Sequence, residues 1–324
     1  MRIRLLAAAL IIAAIWPAPS WSAPPGWPAS LTIGTASPGG VYLLYGQALA
    51  PILTEALGIP VAAQATQGTG QNMLLLESGG VQLALVFAGI ARDGWNGTGT
   101  WTKDKQLRSM RALFPMYDTP IQVVARESSE IRSLPDMASR PVAAGPPGGA
   151  GVLVSKIFSV LGIPATLRYG AFETQSKQMQ SGLVDALVST IANPAPVLTE
   201  LDRAGEIRFV PMSAGEIAKL CAAIPEFSPS VVPSRTYPSM TTDYTTVGMF
   251  NFVVASKDLP EDLVYAIVKA FYANHDSMVA AQASARESVV ANLTRNTFIP
   301  YHPGAVRYYR EIGAEIPAAL AAAQ

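Results

Sequence analysis

Two glycine-rich turns hold the residues best able to do chemistry. The first, Gly34-Thr-Ala-Ser-Pro-Gly-Gly-Val-Tyr42, sets the hydroxyls of Thr35, Ser37 and Tyr42 beside Gly39 and Gly40. The second, Gly145-Pro-Pro-Gly-Gly-Ala-Gly151, offers only backbone at Gly148, Gly149, Ala150 and Gly151. Each turn follows a short apolar strand signal and precedes apolar residues at helical spacing. A helix that begins on such a turn presents unpaired N–H groups and the positive end of its dipole, which suits a carboxylate or another small anion. Gly34 and Gly39 have the outer spacing of a phosphate-binding loop. Gly40 and Val41 stand where Lys and Ser or Thr are required, which argues against nucleotide hydrolysis.

The elements that must position these turns alternate between strand and helix. Leu31 opens a strand, Val41 to Leu57 has helical spacing and stops at Gly58-Ile-Pro60, and Val61 to Thr66 is a strand. Gly70 to Ser78 reads as a short helix. Leu83 to Phe87 is apolar on both faces, as suits a parallel sheet covered by helices on both sides. Arg92 to Lys105, rich in Gly, Trp, Asn and Thr, reads as a surface excursion, and Leu107 to Val124 as extended chain interrupted at Pro115 and Pro120.

From Ala125 the plan repeats. Leu57-Gly-Ile-Pro60 recurs as Leu161-Gly-Ile-Pro164, and Ser78-Gly-Gly-Val-Gln-Leu-Ala-Leu-Val86 is echoed one residue shorter by Ser181-Gly-Leu-Val-Asp-Ala-Leu-Val188. Two α/β lobes on one plan follow. Residues 23–120 with 251–324 form lobe I, and 121–250 form lobe II. Met116 to Val124 and Thr246 to Ala255 are the two extended crossovers, hence a hinge. Pro260 to Asn274, Ala280 to Asn292 and Gly304 to Ala314 read as helices packing back on lobe I. Ligands on open parallel sheets sit beyond the carboxyl ends of the strands, so facing lobes would bring both turns to one cleft.

Composition narrows the function. Of 324 residues 50% are hydrophobic and 14% charged, with Lys plus Arg and Asp plus Glu balanced at 23 each. Such neutrality argues against nucleic acid, which needs clustered cations. Met1-Arg-Ile-Arg4, the apolar run Leu5 to Ile15 and a Pro, Ser and Ala mixture to Ala23 read as a cleaved signal peptide over 1–22. That run is too short to cross a bilayer, which takes about 20 helical residues. The lone Cys221 leaves no intrachain disulfide and reads as a buried core residue. With no H-E-x-x-H, C-x-x-C or G-x-S-x-G, and both histidines, His275 and His302, near the C-terminus, acid–base catalysis has little to draw on. The reading is of a non-enzyme with no cofactor and no metal. His302 before Pro303-Gly304 reads as a turn or helix-start residue.

In the order and spacing of several segments the chain resembles the TAXI family of solute receptors that serve TRAP transporters. The segments are Gly34 to Tyr42, Ala65 to Asn72, Leu83 to Gly97, Pro120 to Ala125, Val142 to Gly149, Asn193-Pro-Ala195, Thr246-Val-Gly248 and His302 to Arg310. The resemblance implies a type II periplasmic binding protein fold. It also implies a monomeric periplasmic receptor that closes on a small organic acid or amino acid and delivers it to membrane permease subunits. A periplasmic sensor presenting the same ligand to a membrane kinase or chemoreceptor is the alternative.

On that resemblance Thr35, Ser37, Gly39, Gly40 and Tyr42 hold the ligand from lobe I, with Gln67, Thr69 and Asn72 after the second strand. Gly148, Gly149, Ala150 and Gly151 face them from lobe II. Relatives usually carry Ser and Thr in that second turn, and Gln and Ser at Phe87 and Ala88. Lost side-chain donors remove hydrogen bonds worth about 0.5–1.5 kcal/mol each. Phe87 adds apolar surface worth roughly 25 cal/mol per Å² buried. A ligand with one carboxylate and a less polar or aromatic body is therefore expected. Tyr117, Tyr169 and Asn193, at strand ends or crossovers, complete the candidates. Arg92 and Arg168 are the cations to test, and Phe172 belongs to either core or site.

Overall fold

The computed structural model describes residues 24–38, 40–147 and 150–321. The signal segment 1–22 and the turn glycines Gly39, Gly148 and Gly149 lie outside the described residues. In chain order the elements are β1 (Leu31–Gly34), α1 (Val41–Leu57), β2 (Val61–Gln64), α2 (Thr69–Ser78), β3 (Leu83–Phe87), α3 (Ala88–Asn96), β4 (Met110–Pro120) and β5 (Gln122–Arg126). Then come β6 (Pro141–Ala143), α4 (Ala150–Leu161), β7 (Thr166–Arg168), α5 (Phe172–Gln180), β8 (Ala186–Ser189), α6 (Pro196–Arg203), β9 (Ile207–Phe209) and α7 (Ala214–Ala223). The chain ends with β10 (Phe227–Val232), β11 (Tyr244–Ser256), α8 (Glu261–Ala273), α9 (His275–Ala281), α10 (Pro303–Glu311) and α11 (Ala318–Ala321).

The strands form two sheets. One runs β10-β11-β3-β1-β2, with β4 also paired to β11, and the other runs β7-β6-β8-β5-β9. In each, the first strand of a lobe lies between its second and third in parallel, Leu31 facing Val61 and Ile33 facing Leu83 in one, Val142 facing Leu167 and Ala186 in the other. An antiparallel strand follows the third, β11 beside β3 and β5 beside β8. The echo in the sequence is thus a structural repeat, with β1-α1-β2-α2-β3 matched by β6-α4-β7-α5-β8. Leu83 to Phe87 is buried at every residue, as a strand covered on both faces requires.

Pro120-Ile121 carries the chain from one sheet to the other, and β11 runs beside it. The Ile121 N–H donates to Val247 O at 2.8 Å, and the Thr246 hydroxyl donates to Ile121 O at 2.7 Å. The crossovers are therefore tied to each other at the hinge. The reading of residues 121–250 as lobe II meets one exception, because β10 pairs with β11 across Phe227 to Val232 in the first sheet. Beyond β10 the chain re-enters the second lobe, where Tyr237 and Met240 join its core.

Four local expectations differ. Arg92 to Lys105 is not all excursion, because α3 continues to Asn96, where Gly97 stops it at φ 72°. A Cβ on Gly94 would stand 2.6 Å from the Met73 thioether and 2.7 Å from the Trp101 ring, so glycine there lets α3 pack closely. Pro115 does not interrupt β4, since irregular register with β11 around Phe252 accommodates the missing donor. Ala280 to Asn292 is not one helix: α9 ends at Ala281, Gln282 is extended, and 3₁₀ turns follow at Ala283–Glu287 and Val290–Arg295. The Ser288 hydroxyl, which donates to Met116 O at 2.6 Å, and Glu287, which accepts from the Asp118 N–H at 2.9 Å, fasten that stretch to β4. Cys221 is half-buried on α7 rather than in the core.

Candidate ligand-binding cleft

A cavity of about 630 Å³, counting its open mouth, lies between the lobes where the first helices begin. From lobe I, Ser37, Gly40, Val41 and Tyr42 line it at the start of α1, Gln67, Gly68 and Thr69 at the start of α2, and Phe87 and Ile90 around the start of α3. From lobe II come Pro146 and Ala150 before and at the start of α4, Phe172 at the start of α5, and Thr190 to Ala192 after β8. Tyr117, Thr119 and Asn251, on the crossover strands, close the floor.

The floor's polar groups are spent on one another. The Phe87 N–H donates to Thr69 Oγ1 at 2.9 Å. The Tyr42 hydroxyl donates to Asn251 Oδ1 at 2.5 Å, and the Asn251 amide donates to Tyr117 O and Thr119 Oγ1 at 2.8 and 2.7 Å. Burial pushes the Tyr42 and Tyr117 phenols above their ordinary pKa, with the Tyr42 charge adding to the rise at Tyr117. Both stay neutral donors.

Each lobe pins its turn with a buried amide on its second helix. Asn72 Nδ2 donates to Thr35 O and to Leu85 O, both at 2.7 Å, while its Oδ1 accepts from the Thr66 hydroxyl. In the second lobe Gln175 Oε1 accepts from the Gly145 N–H at 2.8 Å and its Nε2 donates to Arg168 O at 2.7 Å. Gly145 has φ +74°, and a Cβ there would stand 2.7 Å from the Phe172 ring and 2.5 Å from Ala150 Cβ. That close approach lets Phe172 seat on the turn.

A family model described as the NMT1-like family matches residues 33–313. The chain belongs to the NMT1-like family. Among solved structures, the periplasmic binding protein BugD is similar with a TM-score of 0.52 at 14% identity, over 90% of this chain and 100% of that one. A structure described as a periplasmic transporter gives 0.50 at 14% identity, over 88% and 92%. At that identity the likeness shows the fold, which is the two-lobed α/β fold of type II periplasmic binding proteins.

The structure of this NMT1-like protein sorts the candidate residues. Ser37, Gly40, Tyr42, Gln67, Thr69, Phe87, Tyr117 and Ala150 line the cavity. Thr35 does not, because its hydroxyl donates to Gln64 O at 2.6 Å and it is wholly buried behind the turn. Asn72 is likewise consumed by the turn it pins, and Ala88 is buried in the first turn of α3 without reaching the cavity wall. A Cβ on Gly151 would stand 2.6 Å from the Tyr169 ring, and both residues line an outer groove with Lys156 and Asp93 rather than the cavity. Asn193 borders a separate groove with Asp118 and Glu287. Arg92 is paired with Glu226 and lies 4.5 Å from the Phe298 ring centre, and Arg168 is exposed, so neither cation enters the cavity.

The sequence reading passes over Thr119, Asn251, Thr190 and Ile191, and leaves Phe172 open. One signal for Asn251 is in the chain: it is the single amide in the apolar run Met249 to Ala255. Thr119 carries no such mark, since only the pairing of β4 with β11 brings it to that amide.

Proposed function

We propose that this NMT1-like protein is the extracytoplasmic solute receptor of a TRAP transporter, closing its lobes on a small carboxylate-bearing ligand with a less polar or aromatic body. The observation that carries the reading is how the helices at the cavity begin. The starts of α1, α2 and α3 carry no capping side chain and no acid in the first turn, α4 has no first-turn acid either, and α5 has no capping side chain but carries Glu173 in its first turn. Elsewhere α7 has a complete Ser213–Glu216 capping box, α8 begins with Glu261 and Asp262, and α10 is capped by His302, while α6 begins at Pro196 with neither a cap nor an acid. Helix starts without a side-chain cap suit an acceptor supplied by the ligand, although the Gly89 N–H of α3 already meets Met249 Sδ at 2.9 Å and the Gly151 N–H of α4 meets Pro146 O at 2.8 Å. TRAP partnership and periplasmic location rest on the resemblance of the motifs and on the signal-like segment at 1–22.

Ligand docks on one lobe, and the other closes over it by bending at the tied crossovers. Closure draws its free energy from contacts made only in the closed form. A thermal-shift screen of organic acids and amino acids on the mature chain tests the reading, since a ligand that binds the native state raises the melting temperature by mass action. Small-angle scattering of the saturated protein should show compaction. Co-purification of a multi-spanning permease supports uptake; a histidine kinase in its place supports the sensing alternative. No stabilisation by any acid would overturn the receptor reading.

A further inference from the structure

The cavity carries no counter-charge. Among the described residues, none of those lining it is Asp, Glu, His, Lys or Arg, and the undescribed positions of the two turns, Gly39, Gly148 and Gly149, have no side chain to contribute. Asp118 and Glu287 line a separate groove that Tyr117 also borders: Glu287 accepts from the Asp118 N–H, Asp118 Oδ2 accepts from the Ser230 hydroxyl at 2.7 Å, and Asp118 Oδ1 has no hydrogen-bond partner but lies 3.8 Å from the Arg295 guanidinium. The strong acceptor of the floor, Asn251 Oδ1, is already taken by Tyr42. The lining side chains that remain, Ser37, Gln67 and Thr190 among them, are neutral, and helices of both lobes begin at the space with the positive ends of their dipoles.

From this we infer, resting on the receptor reading, that the ligand is a monocarboxylic acid with an aromatic body and no ammonium group. An α-amino acid carries its ammonium one carbon from the carboxylate, so seating the carboxylate on the helix starts brings a cation into the same positive field, where the side-chain acceptors on the wall, such as Gln67 and Thr190, are neutral and none is a carboxylate. A second carboxylate would be buried without a cation. The body of the acid meets rings from both lobes, Phe87 on one side and Phe172 on the other, with Tyr42 and Tyr117 at the floor. Aromatic pairs add to what area burial alone contributes.

The test is isothermal titration of the full mature chain with 3-phenylpropionate, phenylpyruvate, phenylalanine, glutarate and glutamate. The first and third differ only in the α-ammonium. Expected is binding of 3-phenylpropionate or phenylpyruvate, with phenylalanine at least about 100-fold weaker. Phenylalanine binding as tightly as 3-phenylpropionate, or glutamate or glutarate binding tightest, overturns the inference and leaves the receptor reading standing. Silence from every acid and amino acid overturns the receptor reading itself. Phe172→Leu and, separately, Phe87→Leu should weaken the aromatic acid while sparing 4-methylpentanoate. Equal affinity of both variants for the aromatic acid and of the parent chain would overturn the assignment of the ring site.

Discussion

Lys156 of α4 and Asp93 of α3 join the two lobes outside the cavity, with the ammonium 3.1 Å from Oδ1 and 3.4 Å from Oδ2. The lysine side chain is 37% exposed and the aspartate 17%, so water screens the pair and its contribution to closure stays at or below about 1 kcal/mol. That amounts to about fivefold in the ratio of closed to open forms. Lys156→Met should release a bound acid up to about fivefold faster in stopped flow at low salt. The difference should vanish near 1 M salt, where the screening length falls to about 3 Å. An unchanged release rate at low salt would show that the pair does not hold the lobes.

Asn72 shows why a polar residue near a ligand site need not touch ligand. Its three hydrogen bonds, to Thr35 O, Leu85 O and the Thr66 hydroxyl, join the end of β1 to β3 beneath the first turn. Asn72→Leu has similar size and removes the amide donor from Leu85 O and from Thr35 O, the latter keeping the Thr66 hydroxyl at 2.9 Å, at about 1–3 kcal/mol for a buried group left unpaired. Chemical denaturation should register a loss of that order. The folded fraction should still bind acid within about threefold of the parent affinity, far below the tenfold that 1.4 kcal/mol of lost contact would bring. A large loss of affinity with unchanged stability would instead place the amide in the site.

Gly304 marks a close approach of a different kind. A Cβ there would stand 2.2 Å from Glu261 O and 2.6 Å from the Tyr265 backbone N, so the first turn of α10 lies directly on the backbone of α8. Backbone yields less readily than a side chain. Gly304→Ala should therefore cost at least the about 1–3 kcal/mol typical of overpacking, read as a lower melting temperature. Gly313, with φ +68° and nothing within 4 Å of a Cβ, is the contrast. Alanine there pays only the left-handed backbone penalty of about 1 kcal/mol.

What the chain discloses before folding follows from the range of its interactions. The repeat of β1-α1-β2-α2-β3, the fully buried β3 and the start of α1 are local patterns, and periodicity with glycine stops is enough to place them. Thr119 and Asn251 share the cavity floor across more than a hundred residues, and their pairing exists only once β4 meets β11. Hydroxyls mislead for the same reason: Thr35 and Ser37 look alike in the first turn, yet the Thr35 side chain turns back to Gln64 O while Ser37 faces the cavity. The 280–292 stretch has helical spacing, but the tertiary bonds of Ser288 and Glu287 to β4 outweigh that propensity.

His302 gives the fold a dependence on acid. Its Nδ1 accepts the Gly304 N–H at 3.2 Å as the cap of α10, and the ring is buried. Burial, with the Arg111 charge as a lesser cause, lowers its pKa from 6.5 to about 4. A base with a depressed folded pKa contributes its full stability above the unfolded value, and that stability drains away as pH falls from about 6.5 toward 4, because the unfolded chain takes up a proton the folded chain resists. The shift corresponds to about 3 kcal/mol at most. His302→Asn keeps a capping acceptor that cannot charge. The stability of the parent minus that of the variant should be flat above pH 7 and decline by up to that amount between pH 6.5 and 4, followed by urea denaturation across the range. His275 is present in both proteins and cancels. A difference that stays constant down to pH 4 would mean that the buried imidazole takes its proton as readily as it does in the unfolded chain.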